Sequence, residues 1–348
     1  MEKLSIKTHL VGKNELMRLM MLAKATRNPL LLIGQKGVAK TDACREFSRS
    51  LMSHEAGTDM SHEECLMSDQ TFTLETNRHT RANEITGHVD IAKLVKDQEF
   101  DLVTPMATAK YILINEIDKS GGAVRDALLS SMAEKVLFNG EKKIPCAWEV
   151  FVATCNEIPQ EEAENHFWDR FVIKYNVARI SQASMLNILQ QAQNDEVTIN
   201  YPTLEEVDGV SLPQEKLSKM LDACYRFASD RTLTKMPRIV KAITLIWGMS
   251  INEAFVKAAE LVVGRSASTS LSQLLMSKEM KVILQKVEQL KIINDQTKMD
   301  QLITEIYELT EQYVNAGLLS DDEVREITLA AQKIIEMSSD QATTAATA

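Results

Sequence analysis

The segment 34–41 reads Gly-Gln-Lys-Gly-Val-Ala-Lys-Thr, which is typical of a phosphate-binding loop. It follows the apolar stretch Leu30–Ile33 and precedes a segment with a helical period. In this context backbone N–H groups of a loop of small residues surround phosphate oxygens, and the helix N-terminus adds partial positive charge. Lys40 would reach the β- and γ-phosphates, and the Thr41 hydroxyl would ligate Mg²⁺. Ala39 stands where a second glycine is usual, and it restricts φ.

Asn115 and Glu116 directly follow a second apolar stretch, Tyr111–Ile114. In NTPases with a phosphate loop, a strand end carries an acid for Mg²⁺ and then a glutamate that polarises the attacking water. Glu116 fits the glutamate, whereas the Asn115 amide can bind a Mg²⁺-bound water but carries no charge. We therefore predict a site for a nucleotide and Mg²⁺, with Thr41 and Asn115 on the metal, and we leave open whether Asn115 weakens metal binding or turnover.

Two further polar residues stand next to predicted strands. Asn156 directly follows the stretch Phe151–Cys155, which we expect beside the strand of Tyr111–Ile114. The Asn156 amide would orient the lytic water. Arg170 directly precedes another strand candidate, and an arginine supplied to a neighbour's γ-phosphate stabilises the charge of the transition state. Together with Glu116, these two residues complete the predicted catalytic set.

Strand candidates alternate with helical segments up to about residue 176, which predicts a parallel sheet covered on both faces. The predicted strands are 30–33, 71–74, 111–114, 149–153 and 171–175, and the predicted helices between them are 14–25, 42–52 and 123–134. Two hairpins interrupt this pattern, near 89–103 with its turn at Lys96-Asp97-Gln98, and near 136–144 with its turn at Asn139-Gly140. From about residue 177 we expect strands to stop and helices to follow at 181–194, 214–229, 235–248 and 252–263.

The C-terminal part is predicted to be helical beyond a Ser/Thr-rich linker, Ser266–Ser272. The predicted helices are 274–293, 298–315 (stopped by Gly317) and 321–337 (opened by a capping box of Ser320 and Glu323). Their apolar faces (Leu302, Ile306 and Leu309; Val324, Ile327 and Ile334) are expected to pack as a small bundle, with a partner or subunit contact as the alternative. The predicted domains are 1–176, 177–264 and 265–340, followed by a disordered tail, 341–348.

Composition sets limits on the class of protein. The 348 residues are 45% hydrophobic and 25% charged, which predicts a globular chain of two or three domains. A net charge of −10 argues against non-specific DNA binding.

Neither a membrane span nor a signal peptide is expected, because the apolar runs are short and residues 1–10 mix charged and apolar types. Five cysteines without a CxxC pair indicate reduced thiols in a cytoplasmic protein. His54, His62 and Cys65 lack the spacing of metal ligands.

In this order the motifs resemble those of the AAA+ ATPases, within them the MoxR family, and most of all its RavA-type branch. The likeness spans about residues 8–250 and rests on the segments 34–41, 115–119, 138–140, 153–159, 169–174 and 229–231. This chain departs from the family pattern in having Gln35-Lys36 where Pro-Pro is frequent and Asn115 where an acid is usual. Its C-terminal extension is also shorter than that of RavA-type proteins.

The resemblance implies a role for each motif. The loop 34–41 would be the Walker A motif, Asn115–Glu116 the Walker B motif, and Asn156 sensor 1. Arg170 would be the arginine finger, acting across a subunit interface. The hairpins would be the pre-sensor-1 and helix-2 insertions of an AAA+ core, and the helices of 177–264 its all-α lid.

The resemblance also implies which residues contact the nucleotide. Val11 and Gly12 would lie beside the adenine. Sensor 2 stays open between Arg231, which matches a Ser-Asp-Arg pattern, and Arg238, which follows Pro237 in what we expect to be a first helical turn. The expected phosphate contacts are Gly34, Gln35, Lys36, Gly37, Val38, Ala39, Lys40, Thr41 and Asp42.

The implied function is a ring-forming, chaperone-like ATPase that uses ATP and Mg²⁺ to remodel or assemble a partner protein. The family likeness implies a hexamer and a partner with a von Willebrand factor A domain. Two alternatives stay open: a nucleotide-binding scaffold or switch that hydrolyses weakly because of Asn115, and a DNA motor with Lys142 and Lys143 in a central pore. The net charge of −10 speaks against the motor.

Overall fold

A parallel sheet of five strands lies at the centre of this computed structural model of the chain. The structure describes all residues except 1, 9–13, 90, 92–94, 97–101, 140–141, 160–165, 180–194, 291–292, 294–295, 317–318, 320–322, 326 and 333–348. The strands are β1 (Glu2–Thr8), β2 (Leu30–Ile33), β3 (Thr71–Glu75), β4 (His88–Val89), β5 (Leu102–Val103), β6 (Tyr111–Asn115), β7 (Val136–Asn139), β8 (Lys142–Pro145), β9 (Val150–Cys155), β10 (Ile173–Asn176) and β11 (Asp195–Tyr201).

Helices surround the sheet and continue beyond it. They are α1 (Asn14–Thr26), α2 (Lys40–Ala56), α3 (His62–Met67), α4 (Asn83–Thr86), α5 (Pro105–Thr108), α6 (Gly122–Glu134), α7 (Leu204–Gly209), α8 (Gln214–Cys224), α9 (Asp230–Trp247), α10 (Ile251–Val262), α11 (Arg265–Leu275), α12 (Lys278–Gln289) and α13 (Gln296–Asn315). Two 3₁₀ turns, Ile117–Lys119 and Trp168–Arg170, follow β6 and precede β10.

The strand order of the sheet is β10-β2-β9-β6-β3, with every neighbouring pair parallel. This confirms the predicted α/β fold with a central parallel sheet and a helical C-terminal part. Every residue of β6 and β9 is buried, as expected for strands covered on both faces. The register pairs Ile33 with Cys155 and Glu75 with Asn115, so the carboxyl ends of four strands meet at one edge.

An aromatic cluster supports the segment that enters β10. Phe151, Phe167, Trp168 and Phe171 are each no more than 1% exposed. Phe167 lies edge-on to both Trp168 and Phe171, with ring centroids 5.1 Å and 5.5 Å apart. The guanidinium of Arg125 lies over the ring of Trp168, 5.4 Å from its centroid. The 3₁₀ turn Trp168–Arg170 is therefore anchored on both sides of Asp169.

One predicted hairpin is confirmed and the other only at its base. β7 and β8 pair antiparallel, although the turn residue Gly140 lies outside the described residues. β4 and β5 pair over two residues each. The strand prediction is wrong at Ile91 and Val95, which are helical, because apolar residues four apart also satisfy a helical period. Lys96, predicted as the first turn residue, is helical as well. The predicted turn residues 97–98 lie outside the described residues.

The prediction that strands stop at residue 177 is wrong. β11 pairs antiparallel with β1 to form a separate two-stranded sheet. Leu4 and Ile6 of β1 are fully buried, while Val197 and Ile199 of β11 are 5% and 1% exposed. The alternation of apolar and polar residues in β1 is the period of a half-buried strand. The predicted helix 181–194 lies outside the described residues.

Helix α9 begins earlier than predicted, at Asp230 instead of Lys235. Ser229 caps it, because its hydroxyl accepts a hydrogen bond from the backbone N–H of Thr232. Pro237 consequently lies inside the helix. The expectation that Arg238 stands in a first helical turn is therefore wrong.

The predicted linker Ser266–Ser272 is also wrong, since these residues belong to α11. Ala267 and Leu271, one helical turn apart, are 1% and 0% exposed, and burial of this face outweighs the weak helix preference of Ser and Thr. The predicted helix 274–293 is interrupted at Ser277, whose hydroxyl caps α12 by accepting from the backbone N–H of Met280.

The C-terminal helices pack on one another, as predicted. Their shared apolar cluster contains Met280, Ile283, Val287, Leu290, Leu302, Ile306, Leu319 and Ile327, with Leu309 and Val324 against it. Glu323 accepts a hydrogen bond from the backbone N–H of Ser277 at 3.1 Å. Gly317, Ser320, Ile334 and the tail 341–348 lie outside the described residues.

The chain divides into two compact units, 1–268 and 269–348. The finer boundaries at 176 and 264 stay predictions. Within the described ranges, none of the helices alone has the length and apolar character needed to cross a membrane; α9 and α10 meet that test only as a pair, bent by 118°. All five cysteines are buried as free thiols.

Candidate nucleotide-binding site

The loop between β2 and α2 restricts the residue type at three positions. A Cβ atom on Gly34 would lie 2.7 Å from the carbonyl oxygen of Val177, which is too close for any side chain. Gly37 has φ 80°, in the left-handed region. Ala39 also lies in this region, with φ 61° and ψ 33°, where a residue with a Cβ is strained. The loop therefore turns sharply into α2 at the position where a glycine is usual.

We expect Ala39→Gly to raise the free energy of unfolding by about 0.5–1 kcal/mol, because relief of left-handed strain exceeds the entropic cost of glycine. Urea unfolding followed by tryptophan fluorescence measures it. Ala127→Gly, in the regular helix α6, is the matched control and is expected to lose about 1 kcal/mol. A loss of stability in Ala39→Gly would show that the loop does not carry this strain.

The N-terminus of α2 presents positive charge toward the loop. No side chain caps this end, whereas Ser or Thr side chains cap α3, α7, α9, α10 and α12. The first N–H groups of a helix have no acceptor within it. Lys40 is 9% exposed, and its Nζ donates to the carbonyl oxygens of Gly34 and, at 3.0 Å, of Gln35. Burial lowers the pKa of Lys40. The arrangement is suited to an anion.

Thr41 and Asn115 come together as predicted. The Thr41 hydroxyl donates to Asn115 Oδ1 at 3.1 Å, and the Thr154 hydroxyl donates to the same oxygen at 3.2 Å. Asn115 itself is 1% exposed at the end of β6. These two predicted metal residues therefore meet although they stand in different elements, α2 and β6.

Glu116 is held in an unusual backbone conformation, with φ 54°. The Thr76 hydroxyl donates to the carbonyl oxygens of Asn115 and Glu116, at 2.9 Å and 2.7 Å. The Glu116 carboxylate contacts Lys36 Nζ at 3.5 Å and accepts a hydrogen bond from Lys119 Nζ. The bond from Lys119, with the charge of Lys36, lowers the pKa of Glu116. Strained non-glycine residues cluster at functional sites, and the site contains two of them.

Asn156 lies at the end of β9 and donates to Asp118 Oδ2 at 3.4 Å. The other carboxylate oxygen of Asp118, Oδ1, is buried and has no hydrogen-bond partner. The negative charge of Asp118 acts on Lys40 as well: it raises the pKa of the lysine, whereas burial lowers it. Asn156 is thus connected to the loop lysine through an acidic residue.

Arg170 does not join this cluster. Within the described part of the chain its guanidinium forms no ion pair, and its Nε is buried without a partner. Burial and the neighbouring charge of Arg231 lower its pKa. Its neighbour Asp169 accepts hydrogen bonds from Ser229, which fixes the turn to the start of α9.

Neither candidate for sensor 2 forms a hydrogen bond or ion pair with the loop among the described residues. Arg231 pairs with Asp169 at 3.8 Å and lies beside Arg170. Arg238 pairs with Asp208 at 3.3 Å. Val11 and Gly12 lie outside the described residues, so their place beside the adenine stays a prediction.

A family model described as the MoxR domain in the MoxR-vWA-beta-propeller ternary systems matches residues 2–211. The chain belongs to the MoxR family of AAA+ ATPases. This confirms the family resemblance of the motifs, while the RavA-type branch stays a prediction.

The relatives of this MoxR chain are distant. Structural protein ORF618 of Acidianus two-tailed virus is 27% identical over 248 residues, which are 67% of this chain and 37% of that protein. An uncharacterised protein of Methanocaldococcus jannaschii is 25% identical over 236 residues, 63% of this chain and 57% of that one. The chain therefore spans less than two thirds of the length of either relative.

A solved structure shows the same fold. A candidate ATPase from Cytophaga hutchinsonii superposes with a TM-score of 0.53 at 18% identity, covering 73% of this chain and 82% of that chain. At this identity the likeness concerns the fold alone.

Four residues of the MoxR site were missed by the sequence analysis. They are Glu75, Thr76, Asp118 and Thr154. Two of them directly follow a predicted strand: Glu75 comes after the predicted strand 71–74, and Thr154 comes after the predicted strand 149–153. Polar residues at carboxyl ends of adjacent parallel strands meet at one edge, so the same rule that selected Asn115 and Asn156 also identifies them.

The residues present fit a nucleoside triphosphate with Mg²⁺. The uncapped N-terminus of α2 and Lys40 suit phosphates, and the Thr41 hydroxyl lies against Asn115 Oδ1, as oxygen ligands of Mg²⁺ require. The unpartnered Oδ1 of Asp118 adds an acceptor at the same edge. This donor set suits hard, oxygen-binding cations.

Proposed function

We propose that this MoxR chain is an ATPase that hydrolyses ATP with Mg²⁺ between two subunits of a hexameric ring and uses the reaction to remodel or assemble a partner protein. The observation that carries the proposal is the contact of the Thr41 hydroxyl with Asn115. Thr41 follows Lys40 at the N-terminus of α2, which no side chain caps. A Walker A residue and a Walker B residue meet there in the way an NTPase requires.

Each residue of the site has a distinct part in this reaction. The N–H groups at the start of α2 and Lys40 bind phosphate oxygens, and Thr41 and Asn115 orient the metal. Mg²⁺, when bound, neutralises charge on the β- and γ-phosphates. Glu116 polarises the attacking water once Lys36 and Lys119 release its carboxylate, and Asn156 orients that water. Arg231 or Arg238, in the helices of the lid, acts as sensor 2 and contacts the nucleotide.

Arg170 supports the proposal of a ring. The turn that carries Arg170 is anchored by an aromatic cluster, and the guanidinium forms no ion pair in the described chain, which supports its availability to a neighbour's γ-phosphate. We expect ATP turnover per subunit to rise with protein concentration until assembly is complete. Turnover measured across that range tests it, and a value independent of concentration would count against the ring.

The description of the family model supports the proposed partner. The matching family model is described by systems of MoxR, vWA and beta-propeller proteins, which supports a von Willebrand factor A domain protein as the partner of this chain. We expect a von Willebrand factor A domain protein of the same system to co-elute with the ATP-bound ring and to change the ring's rate of ATP turnover. The absence of both effects would remove this part of the proposal.

A second function, a switch that binds nucleotide and hydrolyses weakly, is favoured by the Walker B pair. Asn115 lacks charge, and Glu116 is less basic because Lys36 and Lys119 contact its carboxylate. The substitution Asn115→Asp discriminates between the two. Brisk wild-type turnover that Asn115→Asp leaves unchanged would eliminate the switch.

Nucleotide binding itself is tested with Lys40→Ala. We expect calorimetry to show ADP and ATP binding to the wild type and a loss of at least about 100-fold in affinity in the variant, because a buried cation against phosphate is removed. Lys219→Ala, a lysine paired on the surface of α8, is the matched control and should bind normally. Undiminished binding by Lys40→Ala would overturn the proposal.

A further inference from the structure

The Asn115 side chain contacts a carboxylate that the Walker motifs do not include. Its Nδ2 donates to Glu75 Oε1 at 2.6 Å, while its Oδ1 accepts from Thr41 and Thr154. Glu75 and Asn115 are partners in the register of β3 and β6, so the backbone fixes their proximity. The amide therefore lies between the metal-side hydroxyl of Thr41 and an acidic residue of the next strand.

Glu75 determines which way the amide points. A carboxylate only accepts hydrogen bonds, so the atom of Asn115 that faces it must be the NH₂ group. The oxygen is then directed at Thr41 on the metal side. With an uncharged, apolar residue at position 75, the two orientations of the amide would differ far less in energy.

Glu75 also restores the charge that Asn115 lacks. A hydrogen bond to a charged acceptor polarises the amide and increases the negative charge on its oxygen. Glu75 itself lies 3.8 Å from Arg45 Nη2, a longer contact than its 2.6 Å bond with Asn115. The other nearby carboxylates have different contacts, since Glu116 pairs with Lys36 and Lys119, and Asp118 accepts from Asn156. Among the described residues that hydrogen-bond to the Asn115 side chain, Glu75 is the charged one.

We propose that Glu75 and Asn115 together replace the usual Walker B acid, with Asn115 supplying the oxygen beside Thr41 and Glu75, a positioning residue, supplying its orientation and the negative charge. The inference rests on the proposed nucleotide site and names a residue in it that the family motifs do not. It implies that an aspartate at position 115 and a glutamate at position 75 are mutually exclusive, because two carboxylates in this contact repel each other.

The test is a double-mutant cycle. Calorimetry measures the affinity for ADP at increasing Mg²⁺ concentration, and the value compared between variants is the Mg²⁺ concentration that gives half of the gain in affinity. We expect Glu75→Gln to raise that concentration about threefold to tenfold, because glutamine keeps an acceptor but loses the charge. We expect Asn115→Asp alone to give no improvement. In the Glu75→Gln background the same change should restore the wild-type requirement or better it.

Controls separate this result from a structural effect. The Glu75 side chain is 61% exposed, so its replacement by glutamine leaves the fold intact, and the fluorescence of the variant should match the wild type. Glu63→Gln, an exposed carboxylate on α3, is the matched control and should leave the Mg²⁺ requirement unchanged.

Two results would overturn the inference. One is a Mg²⁺ requirement of Glu75→Gln within twofold of wild type; the other is an effect of Asn115→Asp that is the same in both backgrounds. Either would leave the nucleotide site itself standing, because ADP would still bind. Failure of the wild-type chain to bind ADP at all would overturn both the inference and the proposed function.

Discussion

Replacing Arg170 with alanine is expected to lower kcat for ATP by about 10³-fold or more, which is the effect of an arginine finger. The physical reason is that the guanidinium stabilises charge that develops on the γ-phosphate only in the transition state. ADP affinity should change less than about twofold, since Arg170 makes no contact with the loop of its own chain in the described residues. Steady-state turnover above the assembly concentration and calorimetry measure the two quantities.

The control for Arg170 is Arg325→Ala, which removes an exposed arginine from the C-terminal unit. It should keep wild-type turnover. If Arg170→Ala retains kcat within about threefold of wild type, or loses ADP binding in parallel with kcat, its role as a neighbour's catalytic residue is wrong.

The second large effect concerns Lys24, at the opposite edge of the sheet from the loop. Lys24 is 9% exposed, and its Nζ donates to Glu55 at 2.8 Å and to Glu149 at 2.6 Å. Tyr111 also donates to Glu55, at 2.8 Å. Lys24→Met leaves two carboxylates in a half-buried site without their common cation. We expect a loss of about 3 kcal/mol in the free energy of unfolding at pH 7.5.

The loss should depend on pH. Burial alone would raise the pKa of Glu149 and Glu55, but the hydrogen bonds from Lys24 reverse this and lower both. In the wild type these groups therefore contribute stability that is present above their unfolded pKa and is lost as pH falls through the folded one. In the variant, Glu55 loses the hydrogen bond and the charge of Lys24, and Glu149 keeps Arg27 as its cation. Both pKa values are therefore higher than in the wild type, so protonation of these carboxylates costs the variant less. The difference between the proteins should shrink below about pH 5.

Urea unfolding at pH 7.5 and pH 4.5 measures this difference, and Trp148, Trp168 and Trp247 report on unit 1–268 alone. Lys219→Met breaks a surface pair with Glu215 and is the matched control, with an expected loss below about 1 kcal/mol at either pH. A Lys24→Met loss that is small, or equal at both pH values, would mean that this cluster does not behave as a buried ion network.

Local patterns predicted most of the sheet and the loop. β2, β6 and β9 are short, mostly apolar runs. β2 leads into the glycine-containing loop, β6 ends in Asn115 and β9 is followed by Asn156, so both the strands and the functional residues at their ends can be predicted from the sequence. Lys40, Thr41 and Asn115 then meet because parallel strands and their following helices bring their ends to one edge.

Non-local pairing and tertiary packing account for the errors. β1 and β11 pair across nearly two hundred positions, and nothing near residue 195 indicates a partner at the N-terminus. The Ser/Thr-rich segment 266–272 is helical because Leu271 and Ala267 are buried, which composition cannot indicate. Glu75 was overlooked for a different reason: it directly follows a predicted strand, as Asn115 does, but only the register of β3 and β6 shows that the two residues are neighbours.

In the proposed ring, one subunit binds ATP and its neighbour completes the catalytic site, and mixing two inactive variants distinguishes this arrangement from a site within one subunit. Lys40→Ala subunits lack the phosphate contact but keep Arg170, and Arg170→Ala subunits have the reverse. In an equal mixture with random assembly, about a quarter of the head-to-tail interfaces combine an intact Lys40 of one subunit with an intact Arg170 of its neighbour. We expect ATP turnover in the mixture to return to a substantial fraction of the wild-type rate. Turnover no greater than the sum of the two variants measured separately would contradict it.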